Sequence, residues 1–379
     1  MEVIHTERVK TLKKVFGVKI KQNFLIKVLE SVKSNLGHEL FQYFNIIPSK
    51  EQMISGNVQD SDYEICRHIV GIHRFNITFL SEDDRVNFER SEEYRNQLTI
   101  KVINQIKLRN TASIFFRNSQ ILIGDEFLFY PVPYKLFAVS IQGLEKTRKK
   151  VTNLTWFYSG IFEKSLATLS MLENNFLIDG YPICRGIIEL YFKLLVLKTN
   201  QSIIEEHNKF VAWELSKNCC GNNLPEEFRI KYNFRKSKVK TTAVEYLHYG
   251  WVDSIKGYHE KVRQLPYSTN GLIEYLKNFC DEEQKQTLIT LSHYYKMCHA
   301  YTHGNVGYSK YPLLHYFELS LMLGLIIPHT YKIMSEEMNE PCEIMGMDIL
   351  SDLENDIIKL ANQYGQRTTE NFDKYYRKK

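Results

Sequence analysis

A mainly α-helical protein is the fold class that this sequence predicts, and three observations carry the prediction. Pro and Gly are scarce, 9 and 18 in 379 residues, so few positions break a helix. Apolar residues recur at helical spacing through most of 152–335. Helix punctuation stands where the periodic runs begin and end, as at Ser81 before Glu82, Asp83 and Asp84, and at Gly304-Asn305 after His303. The expected architecture is a C-terminal helical bundle over 151–340, preceded by a basic, mostly helical region over 1–150. A charged helix and tail, 341–379, follows it.

Composition narrows the class. Hydrophobic residues make up 44% and charged residues 25%, the balance of a soluble globular chain. A net charge of +5 permits an anionic partner without demanding one. Seven Cys, an odd number with no CxxC pair, suit a reducing cytoplasm better than a disulfide framework. The first residues are polar and charged, so no signal peptide is expected. The one run long enough to suggest a membrane span, 313–331, contains His315, Glu318, Ser320, Pro328 and His329. It reads as a buried core helix that bends or ends near Pro328, and no membrane partner is expected.

Taken in order, Val9, Leu12, Val15 and Phe16 keep helical spacing opposite Arg8, Lys10, Lys13 and Lys14. This is either a solvated helix face or a face for nucleic acid or membrane surface. A second helical run covers 24–44. The polar stretch 48–61 is a loop, and 62–110 is helical again with a break at Ser81. Residues 112–141 hold short apolar runs separated by Arg117-Asn118 and Gly124-Asp125, so a small β-hairpin is allowed there. Beyond a soft boundary near 150 come helices over 154–176, then 183–199 with Pro182 at its first position, and 203–216. More follow over 243–263, 271–302 and 313–337. Between them, 217–242 reads as a basic loop in which Arg229, Lys231, Arg235, Lys236, Lys238 and Lys240 interleave with Tyr232 and Phe234. That pattern suits a phosphate backbone with stacked bases; a solvated loop is the simpler reading.

Two stripes hold the candidate chemistry. At about 100° per residue, Ser292, Lys296, His299 and His303 fall within roughly 60° of one another. Beside them Leu288, Leu291, Tyr295 and Cys298 form an apolar stripe. On the preceding apolar helix, Arg185, Glu189 and Lys193 stand four apart. That second stripe is either a solvent edge with ordinary i,i+4 pairs, or a row turned inward toward the histidines. Turned inward, the arginine offers a planar fork for phosphate and the glutamate orients a basic group. His299 and His303 have i,i+4 spacing, but no third ligand is fixed nearby and the glutamate of a metalloprotease helix is missing. No metal and no cofactor is therefore expected.

The segments 184–197, with Arg185-x-x-x-Glu189, and 290–305, with Ser292 and the closing His303-Gly304, resemble a poorly characterised group of prokaryotic helical proteins related to HEPN-type bundles. The resemblance covers about 152–335. It implies a metal-independent endoribonuclease of a phage-defence or toxin system, acting on RNA as a homodimer or with a partner protein of that system. It points to Arg185, Glu189, Ser292 and His303. The HEPN nuclease motif sets an arginine ahead of its histidine; here the matching position is Lys296, and lysine lacks the bidentate fork. The expected site is His303 as general acid/base, Arg185 and Lys296 on the phosphate, Glu189 as orienting carboxylate, with Ser292 and His299 on the same face. The alternative is a non-catalytic interaction or dimerisation module in which the same polar stripe fixes helix register.

Overall fold

The computed structural model describes residues 20–43, 61–77, 80–111, 132–173, 176–220, 224–302, 312–344 and 346–376. Within them the regular structure is helical, and the only β contact is an isolated bridge between Ile344 and Met347. The mainly α class is therefore observed. The basic segment around Val9 to Phe16, the turn-rich stretch 112–131, and His303, Gly304 and Asn305 lie outside the described residues.

An N-terminal group consists of α1 (Gln22–Leu36), α2 (Asp62–Ile77), α3 (Glu82–Arg90) and α4 (Glu92–Thr111). Phe24, Leu25, Val28, Leu29, Val32 and Leu36 recur every three or four residues along α1 and are all buried. They meet Ile65, Ile69, Val70 and Ile72 of α2 and Leu98, Val102 and Ile106 of α4 in one apolar cluster. Burying a side chain of this size stabilises by about 1.5–3 kcal/mol. The polar contacts inside this group are specific. His73 meets the Tyr94 hydroxyl at 2.8 Å and Glu89 at 3.3 Å, tying α2 to α3 and α4. Ser81 caps α3 by accepting from the Asp84 N–H at 3.2 Å, the helix start expected from its sequence.

A larger cluster begins at Leu108 and runs to Leu360. It is built from α5 (Val132–Lys149), α6 (Thr155–Glu173), α7 (Leu177–Thr199), α8 (Ile204–Cys220), α9 (Glu226–Lys236), α10 (Ala243–Tyr249), α11 (Thr269–Leu276), α12 (Glu282–Thr302), α13 (Pro312–Met338) and α14 (Ile349–Tyr376). The most apolar of these sit at the centre: α7 packs against α6, α11, α12 and α13, while α13 also meets α5, α6 and α14. No helix among the described residues is long and apolar enough to cross a membrane.

Several local expectations change. Val132 onward is helical and its buried residues join the larger core, so nothing from 132 to 141 belongs to a hairpin. A proline in the first turn, such as Pro133 of α5 or Pro312 of α13, costs no hydrogen bond; the helix α7 instead starts at Leu177 and carries Pro182 inside it, and α13 runs through Pro328 to Met338. Packing on both sides outweighs the single backbone bond each proline removes. Residues 226–236, expected as loop, are the helix α9, anchored by buried Phe228 and by acidic residues at its start and basic ones at its end. Residues 243–263 are broken into α10, a 3₁₀ segment Gly250–Ser254 and a short helix Tyr258–Lys261, and α11 is separate from α12. The left-handed Gly257, at φ 73°, makes the turn from the 3₁₀ segment into the short helix Tyr258–Lys261.

Candidate functional site

The Arg185, Glu189 and Lys193 stripe of α7 is not a solvent edge. It lies against α12 and the α10–α11 region, and its partner from α12 is Tyr295, a member of the expected apolar stripe. The Tyr295 hydroxyl donates to Glu189 Oε1 at 2.8 Å, and Arg185 approaches the same hydroxyl at 3.4 Å and the Glu189 carboxylate at 3.4 Å. The guanidinium also stands 5.4 Å from the Tyr295 ring centre. Thr269 at the start of α11 donates to Tyr295 at 3.4 Å, and Tyr249 meets Thr269 at 2.8 Å. The row continues to Lys193, whose ammonium sits 5.2 Å from the Tyr249 ring. Burial lowers the Lys193 pKa, with Glu189 and Glu214 opposing. Glu214 in turn pairs with His248 at 3.1 Å, and that hydrogen bond holds its carboxyl below the usual range. Arg185 and Glu189 keep 28% and 30% of their side-chain surface exposed, so the row opens to solvent at that end.

On α12, Leu288, Leu291 and Cys298 are buried, as their spacing requires. The next face round holds the expected chemistry, and there Ser292 is half-buried while Lys296 and His299 are exposed. Arg185 and Glu189 are thus brought together with Tyr295, and the face bearing Lys296 and His299 is turned toward solvent rather than onto α7. Because Tyr295 falls between the two stripes, helical spacing alone assigned it to the apolar one.

A second polar cluster lies where α12 ends. Glu318 of α13 accepts from the Tyr181 hydroxyl and, at 2.5 Å, from the Tyr364 hydroxyl. His315 Nδ1 lies 2.6 Å from the same Tyr181 hydroxyl. Burial alone would raise the Glu318 pKa; the hydrogen bonds from His315, Tyr181 and Tyr364 outweigh it and hold the carboxyl below its usual range. Tyr301, in the last turn of α12, stacks on Tyr181 with ring centres 4.1 Å apart. The sequence did carry a signal for this cluster. His315 and Glu318 are i,i+3 inside an apolar run, a spacing that puts both on one helix face.

The basic segment is partly committed to the fold. Arg235 donates to Asp253 at 2.7 Å, and the same carboxylate accepts from Tyr246, His259 and Tyr267 at 2.7–3.0 Å. Lys231 pairs with Glu206 and lies 3.7 Å from Glu227. Arg229, Lys236, Lys238 and Lys240 are exposed, with Arg229 3.9 Å from Glu226 and Lys238 4.3 Å from the Phe234 ring centre. Among the described residues no group of three or more His, Cys, Asp or Glu side chains is placed to hold a metal ion. Cys184 and Cys298 are buried, and burial pushes the Cys184 thiol up to about 12, which keeps it from acting as a thiolate. Comparison with known proteins finds no matching family model, no matching curated relative and no matching solved structure.

Proposed function

We propose that the protein is a metal-independent endoribonuclease, of the HEPN type that its sequence resembles, whose phosphate-binding group is Arg185. The observation that carries this reading is the half-open Arg185–Glu189–Tyr295 cluster. A carboxylate and a phenol hold a guanidinium in one orientation while part of its surface stays accessible to an anion. A bidentate arginine is well suited to a phosphodiester. In the proposed reaction the ribose 2′-oxygen attacks phosphorus, His303 moves the proton, and the 5′-oxygen leaves protonated. Arg185, assisted by Lys296, stabilises the charge that develops on the non-bridging oxygens. Glu189 and Tyr295 are positioning residues. Ser292 and His299 line the approach on α12, and the exposed Arg229, Lys236, Lys238 and Lys240 extend the basic surface available to RNA.

The test uses the full chain with labelled single-stranded RNA in EDTA, beside Arg185→Ala, His303→Ala and Tyr295→Phe variants whose folding is checked by circular dichroism. Cleavage by the wild type should fall at least about 100-fold in the first two. In Tyr295→Phe it should fall less, because only the orientation of the guanidinium is loosened. Cleavage of DNA, or loss of cleavage in EDTA, would sink this scheme.

A second reading has its own support: Arg185, Glu189, Tyr295, Thr269 and Tyr249 form a continuous hydrogen-bonded row joining α7 to α10, α11 and α12. Such a row can serve only to fix helix register in a non-catalytic interaction module. In that case the wild type leaves RNA intact, and Tyr295→Phe costs about 1 kcal/mol of stability as a lost hydrogen bond.

A further inference from the structure

Two basic stretches separated in sequence meet at one carboxylate. The end of α9 and the residues after it carry exposed Lys236, Lys238 and Lys240, with no acidic residue between 234 and 240. The second stretch, 256–263, presents exposed Lys256, Lys261 and Arg263 against one exposed carboxylate, Glu260. Asp253 joins them: Arg235 donates to it at 2.7 Å, and His259 meets the same carboxylate at 2.7 Å. Tyr246 and Tyr267 also donate there, so the charge of Asp253 is already engaged and the surface around it stays basic. Each stretch also has an exposed ring with an ammonium beside it. Phe234, 55% exposed, has Lys238 at 4.3 Å from its centre, and Phe279, just past α11 and 48% exposed, has Lys261 at 4.0 Å. Such contacts are weak at exposed sites, so ring and ammonium are both available to a ligand.

We propose that this surface binds single-stranded RNA, with phosphates on the lysines and Arg263 and bases stacked on Phe234 and Phe279. A single strand offers a charge and a flat apolar face at each nucleotide, the combination that each lysine–phenylalanine contact matches. A duplex keeps its base faces inside its own stack and meets only the charges. An anionic membrane would use the charges too, but it needs apolar side chains on one continuous face; Phe234 stands on α9 and Phe279 beyond α11. The ligand class rests on the reading of the chain as one that acts on RNA. To that reading the surface adds a preference for unpaired strands, held by residues outside the Arg185–Glu189–Tyr295 cluster.

Binding rather than cleavage tests it. Fluorescence anisotropy of the full chain is followed against salt with a labelled single-stranded 2′-O-methyl oligonucleotide, whose blocked 2′-oxygen cannot attack phosphorus. Lys256→Ala, Lys261→Ala and Arg263→Ala combined should lower the slope of log affinity against log salt by about two, as three lost phosphate contacts require. Phe234→Ala and Phe279→Ala should each weaken binding at least about fivefold at an unchanged slope, with circular dichroism checking that the helices are kept. The same sequence as a duplex should bind at least about tenfold more weakly. Equal or tighter binding of the duplex, an unchanged slope in the triple variant, or ring variants that bind like the wild type would each overturn the proposal. So would co-sedimentation with phosphatidylserine vesicles that both ring variants lose, since the surface would then belong to a membrane. RNA cleavage that these variants leave untouched, with no binding of the oligonucleotide, would strike the surface alone; binding without cleavage would strike the nuclease alone.

Discussion

His207 shows how a single buried ring sets a pH response. It is 3% exposed, between the Phe157 and Trp251 rings at 5.2 and 5.0 Å. Burial, with the nearby charge of Lys193, lowers its pKa to about 4. In the unfolded chain a histidine titrates near 6.5. Between those values the unfolded state takes up the proton that the folded state refuses, so stability is full above about pH 6.5 and declines as pH falls toward 4. The shift corresponds to roughly 3 kcal/mol. Urea unfolding at about pH 7 and about pH 4 should show the wild type losing up to that much more stability than a His207→Leu variant. Equal losses would mean that the imidazole is not kept neutral. Asp253 is the opposite case: four donors converge on its carboxylate, and there Arg235 serves the fold rather than a ligand.

Among the helices, the close approach of α5 and α6 depends on Gly143. A Cβ at that position would lie 2.4 Å from the ring of Phe162, which is fully buried. Gly143→Ala should gain about 1 kcal/mol in helix propensity, yet overpacking against an immobile ring costs more. The expected net effect is a loss of about 1–3 kcal/mol, read as a lowered denaturation midpoint at unchanged m-value; a stabilised variant would show that the ring can retreat. Where the local readings failed, packing is the reason. Residues 226–236 have the charge pattern of a solvated loop, but Phe228 finds a buried slot beside Phe210, Trp213 and Tyr246, and that contact makes a helix of them. The apolar stripe of α12 and the cap at Ser81 were legible because both follow from spacing within one element.

For the whole molecule, the two apolar clusters meet at a seam that carries polar groups, among them the Lys135–Asp356 pair and a bond from Lys359 to Asn76 at 3.1 Å. All three tryptophans, Trp156, Trp213 and Trp251, belong to the part of the chain that builds the larger cluster. Tryptophan fluorescence therefore reports that cluster, while far-ultraviolet circular dichroism follows the helices of both. During urea unfolding the two signals should give separate midpoints, since a polar seam couples the clusters less tightly than a shared core would. Coincident curves would show that they unfold as one unit.

By itself the sequence determined the mainly helical class, the placing of most long helices, the buried stripes of α7 and α12, and the presence of a charged row at Arg185, Glu189 and Lys193. All of these are periodic within a single segment, and the apolar pattern of one helix is fixed by its own 3.6-residue turn. Only the tertiary structure decided which way that row faces, that Tyr295 rather than Lys296 or His299 meets it, and that Glu318 collects hydroxyls from Tyr181 and Tyr364. Those partners are separated by many tens to more than a hundred residues. Contacts of that kind depend on how helices cross and rotate against one another, a choice made by the sum of the core packing rather than by any local run.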